Sequence, residues 1–152
     1  MERLPVRRGK GTVVPPSASP AVPDGDRYLV VDGRRWRRTD PGIPDALERE
    51  LVAELMAARR AVKDAADDEE VRSARRRVQD AKVALGERGE PWWEPSTVEG
   101  RAGRIGAAAR ALLRHRRDGA PICPSDVARV IGGDGWRSLT AEVRARLVAL
   151  AG

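Results

Sequence analysis

One feature constrains the fold of this chain more than any other: an apolar stripe that runs for about five turns and then loses its phase. Over residues 44–66, Leu47, Leu51, Leu55, Ala58, Val62 and Ala65 recur at steps of 4, 4, 3, 4 and 3, flanked by Val52 and Met56. That rhythm is one packed face of an α-helix. Continued forward, it lands on Asp68 or Glu69 and then Arg72. A second stripe begins in a new phase at Val71, Ala74, Val78, Ala81 and Leu85. One rod cannot keep one face buried across such a break. The spacing therefore predicts an antiparallel helical hairpin turning near 66–68. Asp67 and Glu70 are placed as a capping pair for the second helix, and Gly86 and Gly89 end it. Each helix buries only a narrow stripe. The pair needs a cover: another part of the chain or a second copy.

Length and composition limit what that cover can be. The chain has 152 residues, enough for one domain or two very small ones. Aromatics are 3%, with no Phe and a single Tyr28, so the core must be small and aliphatic. A large α/β enzyme and a barrel of typical size are excluded. No stretch approaches the roughly 18 apolar residues of a membrane span, and the opening MERLPVRRGKG has no apolar segment of the signal-peptide kind. The expectation is a cytoplasmic protein with no membrane partner. Cys123 is the only cysteine and permits no internal disulfide. Lys plus Arg is 29, yet only three are Lys. This Arg excess reads first as GC-rich codon usage. The sharper reading is guanidinium forks for carboxylates or phosphates.

Around the helical hairpin the chain divides by composition. Residues 1–26 carry five prolines and no period, and read as a disordered tail. Residues 28–38, YLVVDGRRWRR, place Asp32-Gly33 between two β-prone runs, the signal of a β-hairpin. Tyr28, Val30 and Trp36 are its candidates for burial. With the helical hairpin it makes a unit over 27–90. Residues 91–98 form a linker around Trp92 and Trp93. Adjacent indoles can stack bases or hold a peptide, but pinning the linker onto a helical core is the simpler role.

Residues 99–152 read as three short helices. Ser96 and Glu99 have capping-box spacing, and Ile105, Ala109, Leu112 and Leu113 make the first apolar face, which runs out at His115, Arg116, Arg117, Asp118 and Gly119. The second helix starts at Pro124, with Cys123 as N-cap, Asp126 in its first turn and Val127, Val130 and Ile131 inward. Gly132, Gly133, Asp134 and Gly135 make a turn, and Trp136 is expected to cap the small core of the three helices. The third helix runs from about Thr140 to Ala149, with Leu139, Val143, Leu147 and Leu150 inward. Three short helices in this order are compatible with helix-turn-helix topology. Arg137, Arg144 and Arg146 would then be candidates for nucleic-acid contact. Their clustering on one face would favour that role. Pairing with Glu142, or scatter, would favour a packing unit. Residues 43–91 sum to a net charge of −2, and residues 92–152 to +4. The helical hairpin thus reads as a mixed solvated surface.

Catalytic signatures are missing from the pattern. His115 stands alone, and Cys123 by itself does not complete a zinc set. There is no phosphate-binding loop, nucleophile elbow or His-Cys pair. Gly100, Gly103 and Gly106 lack the strand that precedes a dinucleotide fingerprint. The acidic pairs Asp67/Asp68 and Glu69/Glu70 fit helix caps. A helix N-terminus would lower the pKa of Cys123, but no base accompanies it, and the residue reads as a half-buried structural thiol. No catalytic residue, cofactor or metal site is expected.

Two resemblances rest on longer stretches. Residues 27–95, from RYLVVDGRRWRRTDPG through GEPWWEP, resemble a small group of uncharacterised bacterial proteins often labelled biopolymer transporter Tol. The transport label implies a membrane span or a β-propeller; this chain has no apolar run for the first, and the second would need far more length. Residues 105–151 resemble a bacterial domain of unknown function with a winged-helix-like character. Ile122 to Arg129, Trp136, Arg137, Leu139, Val143, Arg144 and Leu147 carry that resemblance. Members continue into a β-hairpin wing that has no counterpart before Gly152, so the implied unit is wingless.

The expected architecture is mainly α: a small N-terminal β-hairpin, an antiparallel helical hairpin and a C-terminal trihelical unit. The expected function is that of a non-enzymatic structural or protein-interaction module, self-associating through the helical hairpin or binding a protein partner. Trp92 and Trp93 are candidates for its interaction surface. The alternative is a weak DNA-binding protein using the last helix.

Overall fold

The computed structural model describes residues 22–116 and 120–151. The tail expected over 1–26 lies outside them up to residue 21, and its end enters a single helical turn, α1 (Asp24–Arg27). Strands β1 (Tyr28–Val31) and β2 (Arg34–Arg37) follow as an antiparallel hairpin, with Tyr28 opposite Arg37 and Leu29 opposite Trp36. Asp32 and Gly33 have φ of 51° and 75°. Two left-handed residues are what a two-residue type I′ turn requires.

The buried face of this hairpin differs from expectation. Val30 is 66% and Trp36 39% exposed, and only Tyr28 of the three is half-buried. Register explains it. Residues opposite each other share a face, so Trp36 lies with Leu29, across the sheet from Tyr28 and Val30. Polar ties hold the hairpin in place more than a buried face does. Arg37 Nη1 donates to the Gly89 carbonyl at 2.9 Å, and Trp92 Nε1 to the Arg38 carbonyl at 2.9 Å.

The helical hairpin forms as the stripes predict, with α2 (Asp45–Asp64) and α3 (Asp68–Ala84). Leu47, Leu51, Leu55 and Ala58 are buried, while Val62 and Ala65 are half-covered near the turn. Asp67 Oδ1 accepts the Glu70 N–H at 2.8 Å, and Glu70 Oε2 accepts the Ala66 N–H at 2.7 Å. That is the reciprocal cap expected, shifted by one residue on the return leg. At the far end, the Glu87 N–H reaches the Lys82 carbonyl and the Gly86 N–H reaches that of Val83. This paired closure needs a left-handed residue, supplied by Gly86 at φ +81°.

Helix α4 (Val98–His115) is capped by Thr97, one residue beyond Ser96, through a 3.0 Å bond from the Gly100 N–H. Glu90 in turn accepts the Thr97 N–H and hydroxyl, which fixes Thr97 as the cap. Ile105 and Leu112 are fully buried, whereas Leu113, expected inward, is 49% exposed. The run Gly106–Ala109 and Ala111 is also buried. Small side chains let neighbouring helices come close on several sides of α4 at once. Of the residues expected to end this helix, 117–119 lie outside the described residues.

Helix α5 (Pro124–Gly132), a 3₁₀ segment (Gly133–Leu139) and α6 (Thr140–Ala151) form the C-terminal trihelical unit. The glycines expected as a simple turn lead directly into the 3₁₀ segment. Gly133 (φ +54°) lies so close to Gly42 that a Cβ there would sit 3.0 Å from the Gly42 carbonyl oxygen. Val127, Val130 and Val143 are fully buried. Trp136, Leu139 and Leu147 pack partly buried against them. Leu150, expected inward, is 50% exposed.

One apolar cluster joins all of this. It takes Leu47, Leu51 and Leu55 from α2, Ala81 and Ala84 from α3, Ile105 and Leu112 from α4, Val127 and Val130 from α5, and Val143 from α6. Helix α4 contacts α2, α3, α5 and α6. The cover that the helical hairpin needs is therefore α4.

Candidate functional site

The arginines of α4 and its end turn inward as ties. Arg101 donates to both oxygens of Glu142 on α6 at 2.9 and 2.8 Å. Arg104 Nη2 reaches Asp40 Oδ2 at 2.9 Å and the last carbonyls of two helices, Ala84 at 3.1 Å and Val130 at 3.3 Å. Arg110 forks onto Asp80 of α3, which Arg114 joins at 2.7 Å. Arg116 links Glu50 of α2 to Asp126 of α5. Between α2 and α3, Arg77 holds Glu54, which is 2% exposed. Arg77 on Glu54 and Arg110 on Asp80 are two-nitrogen forks of the kind lysine cannot make. For these two the guanidinium-fork reading of the Arg excess holds, with carboxylates as partners; Arg101 reaches both Glu142 oxygens through Nε alone, and Arg104 and Arg114 each reach an Asp through one nitrogen.

Arg137, Arg144 and Arg146 stand elsewhere and are exposed. Arg137 stacks on Trp136 at 4.7 Å from the ring centroid, with Arg129 at the same distance. Arg144 and Arg146 are two positions apart on α6, roughly 200° around a helix. Side chains so spaced do not share a face. Arg146 borders a shallow groove with Val98 and Ala102 of α4. Glu142 belongs to Arg101, so it pairs with none of the three. Arg144 and Arg146 therefore point apart.

Trp92 and Trp93 are half-buried and turned toward the β-hairpin. Trp93 meets Tyr28 edge-on at 5.4 Å and Trp92 at 5.2 Å. Arg27 and Arg37 lie over the Trp93 ring at 5.2 and 5.5 Å. The pair fastens the linker to the β-hairpin and to Gly86 rather than to the helical core.

A different group of cations makes no ion pair with a carboxylate among the described residues. Lys82, near the end of α3, is only 7% exposed. Its ammonium lies 5.2 Å from the centre of the Trp36 ring, and Arg34 covers the same ring at 4.5 Å. Burial pushes the Lys82 pKa below the ordinary lysine value, and Arg88, Arg59 and Arg34 push it the same way. Glu87 is the one carboxylate that opposes them, and it is hydrogen-bonded by Thr39 at 3.0 Å. Beside Lys82, a groove of about 490 Å³ runs between α2 and α3, lined by Arg59, Arg75, Arg88 and Gln79 with Val62 and Val78 beneath. Within it, Arg88 donates to Gln79 Oε1 at 2.7 Å. The segment sum of −2 hid this face because Glu54, Glu69 and Asp80 pair elsewhere.

Cys123 is exposed rather than half-buried. It is the N-cap of α5 without capping through its side chain. A hydrogen bond from the Ser125 side chain, with Sγ and Oγ 2.9 Å apart, lowers its pKa. Among the described residues no three His, Cys, Asp or Glu side chains gather as a metal site. No described helix is long and apolar enough to cross a membrane. On the helical hairpin, Met56 is the exposed large hydrophobic residue among those described. A broad self-association stripe is therefore not formed there.

Compared with known proteins, residues 102–152 match the model of a family described as a protein of unknown function, DUF3253. The match starts within α4 and spans about a third of the chain. No curated protein and no solved structure matches.

Proposed function

We propose that this protein is a non-enzymatic interaction module whose working surface is the cationic face where the β-hairpin meets α2 and α3. One observation carries the reading: Lys82, its aliphatic stem covered, brings its ammonium among Arg34, Arg59 and Arg88, and among the described residues Glu87 is the carboxylate that offsets them. Elsewhere in this molecule charges are paired, as Glu54 and Asp80 are. A cation group that destabilises the free fold is what a site for an anionic partner requires. The Arg ties around α4 hold that face rigid, which lowers the entropy lost on binding.

The alternative is DNA binding through the last helix, with Arg137, Arg144 and Arg146. It is supported by the absence of carboxylate partners for these three among the described residues. The divergence of Arg144 and Arg146 around α6 weighs against it. Amide NMR shifts on titration with a heparin-derived oligosaccharide separate the two. The proposal expects shifts at residues 34–36, 59, 75, 82 and 88. Shifts concentrated over 137–146 would transfer the role to α6, and none at either place would overturn both.

A further inference from the structure

We propose that the groove lined by Arg59, Arg75 and Arg88, with Lys82, Arg34 and Trp36 at its hairpin end, binds a single-stranded nucleic acid through its phosphates. The inference rests on the interaction-module reading above and names the partner of that same face.

The length of the track favours a polymer over a free anion. Arg75 and Lys82 are seven positions apart on α3, about 10 Å along a helix. Arg59 faces them from α2, and Arg88 and Arg34 extend the charge toward the β-hairpin. One phosphate cannot meet cations spread over that distance, whereas a chain of phosphates can. The exposed indole among the cations favours a single strand over a duplex. Trp36 is 39% exposed and already attracts Arg34 and Lys82 to its ring. A cationic track beside an aromatic surface suits strands with unstacked bases. A duplex keeps its bases inside, and a polyglutamate chain has none. Val62 and Val78 give the groove an apolar floor on which sugars and base edges can rest.

The test is fluorescence anisotropy of the full chain with a labelled mixed-sequence single-stranded DNA of about 15 nucleotides, at about 50 and 200 mM salt. If all five cations contact phosphate, the log-log slope is about −3.5, a loss of roughly 100-fold in affinity over that range. The R59A/R75A/R88A variant should bind more weakly, with its slope reduced to about −1.4. W36A should weaken binding at least about fivefold, and W36F should recover most of the loss. Matched urea midpoints show that each variant is folded. R137A/R144A/R146A serves as the control and should bind as the wild type does.

Three outcomes would overturn the inference. One is a slope that the groove variant leaves unchanged. Another is equal or tighter binding of the matching duplex. The last is loss of binding in the α6 control alone. If the strand does not bind but a heparin-derived oligosaccharide still does, in a manner the groove variant abolishes, the strand inference falls and the interaction-module reading stands. If neither binds, both fall.

Discussion

Arg104→Ala is the sharpest probe of how this fold is held. The side chains of Arg104 and Asp40 are 16% and 14% exposed. The guanidinium satisfies Asp40 and two helix-terminal carbonyls, Ala84 and Val130. A charge-assisted bond contributes about 1.5–3 kcal/mol, and each acceptor left unsatisfied costs about 1–3 kcal/mol. Asp40 keeps its 2.8 Å bond from the Gly42 N–H, and water can reach a partly open site, so the lower ends apply. The expected loss is about 3–4 kcal/mol, or a fall in Tm of about 10 °C for a chain of this size. Arg104→Lys keeps the charge without the planar fork and should lose about half as much. Arg72→Ala removes an ion pair whose side chains are 62% and 67% exposed and should cost no more than about 0.5 kcal/mol. Urea unfolding followed by Trp fluorescence measures all three, with m compared to that of the wild type. An Arg104→Ala variant within about 1 kcal/mol of wild type at unchanged m would refute the idea that α4 is tied in place by its arginines.

Other expectations concern single sites. Gly86→Ala forces a side chain into φ +81° and brings its Cβ to 3.1 Å from Asp40 Cβ and Trp92 Cδ1; the cost should exceed about 1 kcal/mol, visible as a lower urea midpoint. Lys82→Met should stabilise the free protein by about 0.5–2 kcal/mol. Because the folded-state pKa of Lys82 lies below the ordinary value of 10.5, the unfolded chain binds more protons between the two. Wild-type stability should therefore gain from this residue as pH rises through that window, and the gain should vanish in Lys82→Met; an identical pH dependence in both would remove Lys82 as its source. Ser125→Ala removes the hydrogen bond that lowers the Cys123 pKa, so alkylation by iodoacetamide at neutral pH should slow; an unchanged rate would mean that Ser125 does not stabilise the thiolate.

Much of the fold was legible because its signals are local. The stripe from Leu47 to Ala58 and the phase break before Val71 each lie within a few turns of one helix. The Asp67–Glu70 cap and the Asp32-Gly33 turn are contained in four residues or fewer. What escaped the sequence depends on distant pairing. Arg104 and Asp40 are 64 positions apart, and Arg116 and Glu50 are 66 apart, so no periodicity links them. The faces of the β-hairpin were recoverable in principle. Counting outward from Asp32-Gly33 sets Leu29 opposite Trp36 and separates Trp36 from Tyr28. For the cationic face, half the signal was present: Arg75, Val78, Gln79 and Lys82 lie on one side of α3 by their spacing. The other half, Arg59, Arg88 and Arg34, comes from three further segments, and only folding brings them together. Cys123 was misjudged because the lack of an accompanying base was read as a structural, half-buried thiol, whereas its N-cap position leaves it exposed.

The central place of α4 also bears on modularity. The stretch that matches a family model begins inside this helix, yet the groups that Arg104 and Arg110 engage, apart from the Val130 carbonyl, come from residues 40, 80 and 84, and Arg114 also reaches Asp80. Excised alone, residues 102–152 would carry these guanidiniums without those partners and expose the alanine-rich flank that α2 and α3 cover. The boundary of sequence similarity is therefore not a boundary of folding. A protease cut in the Trp92–Trp93 linker should leave two fragments that stay associated and unfold in one transition, rather than two independent pieces.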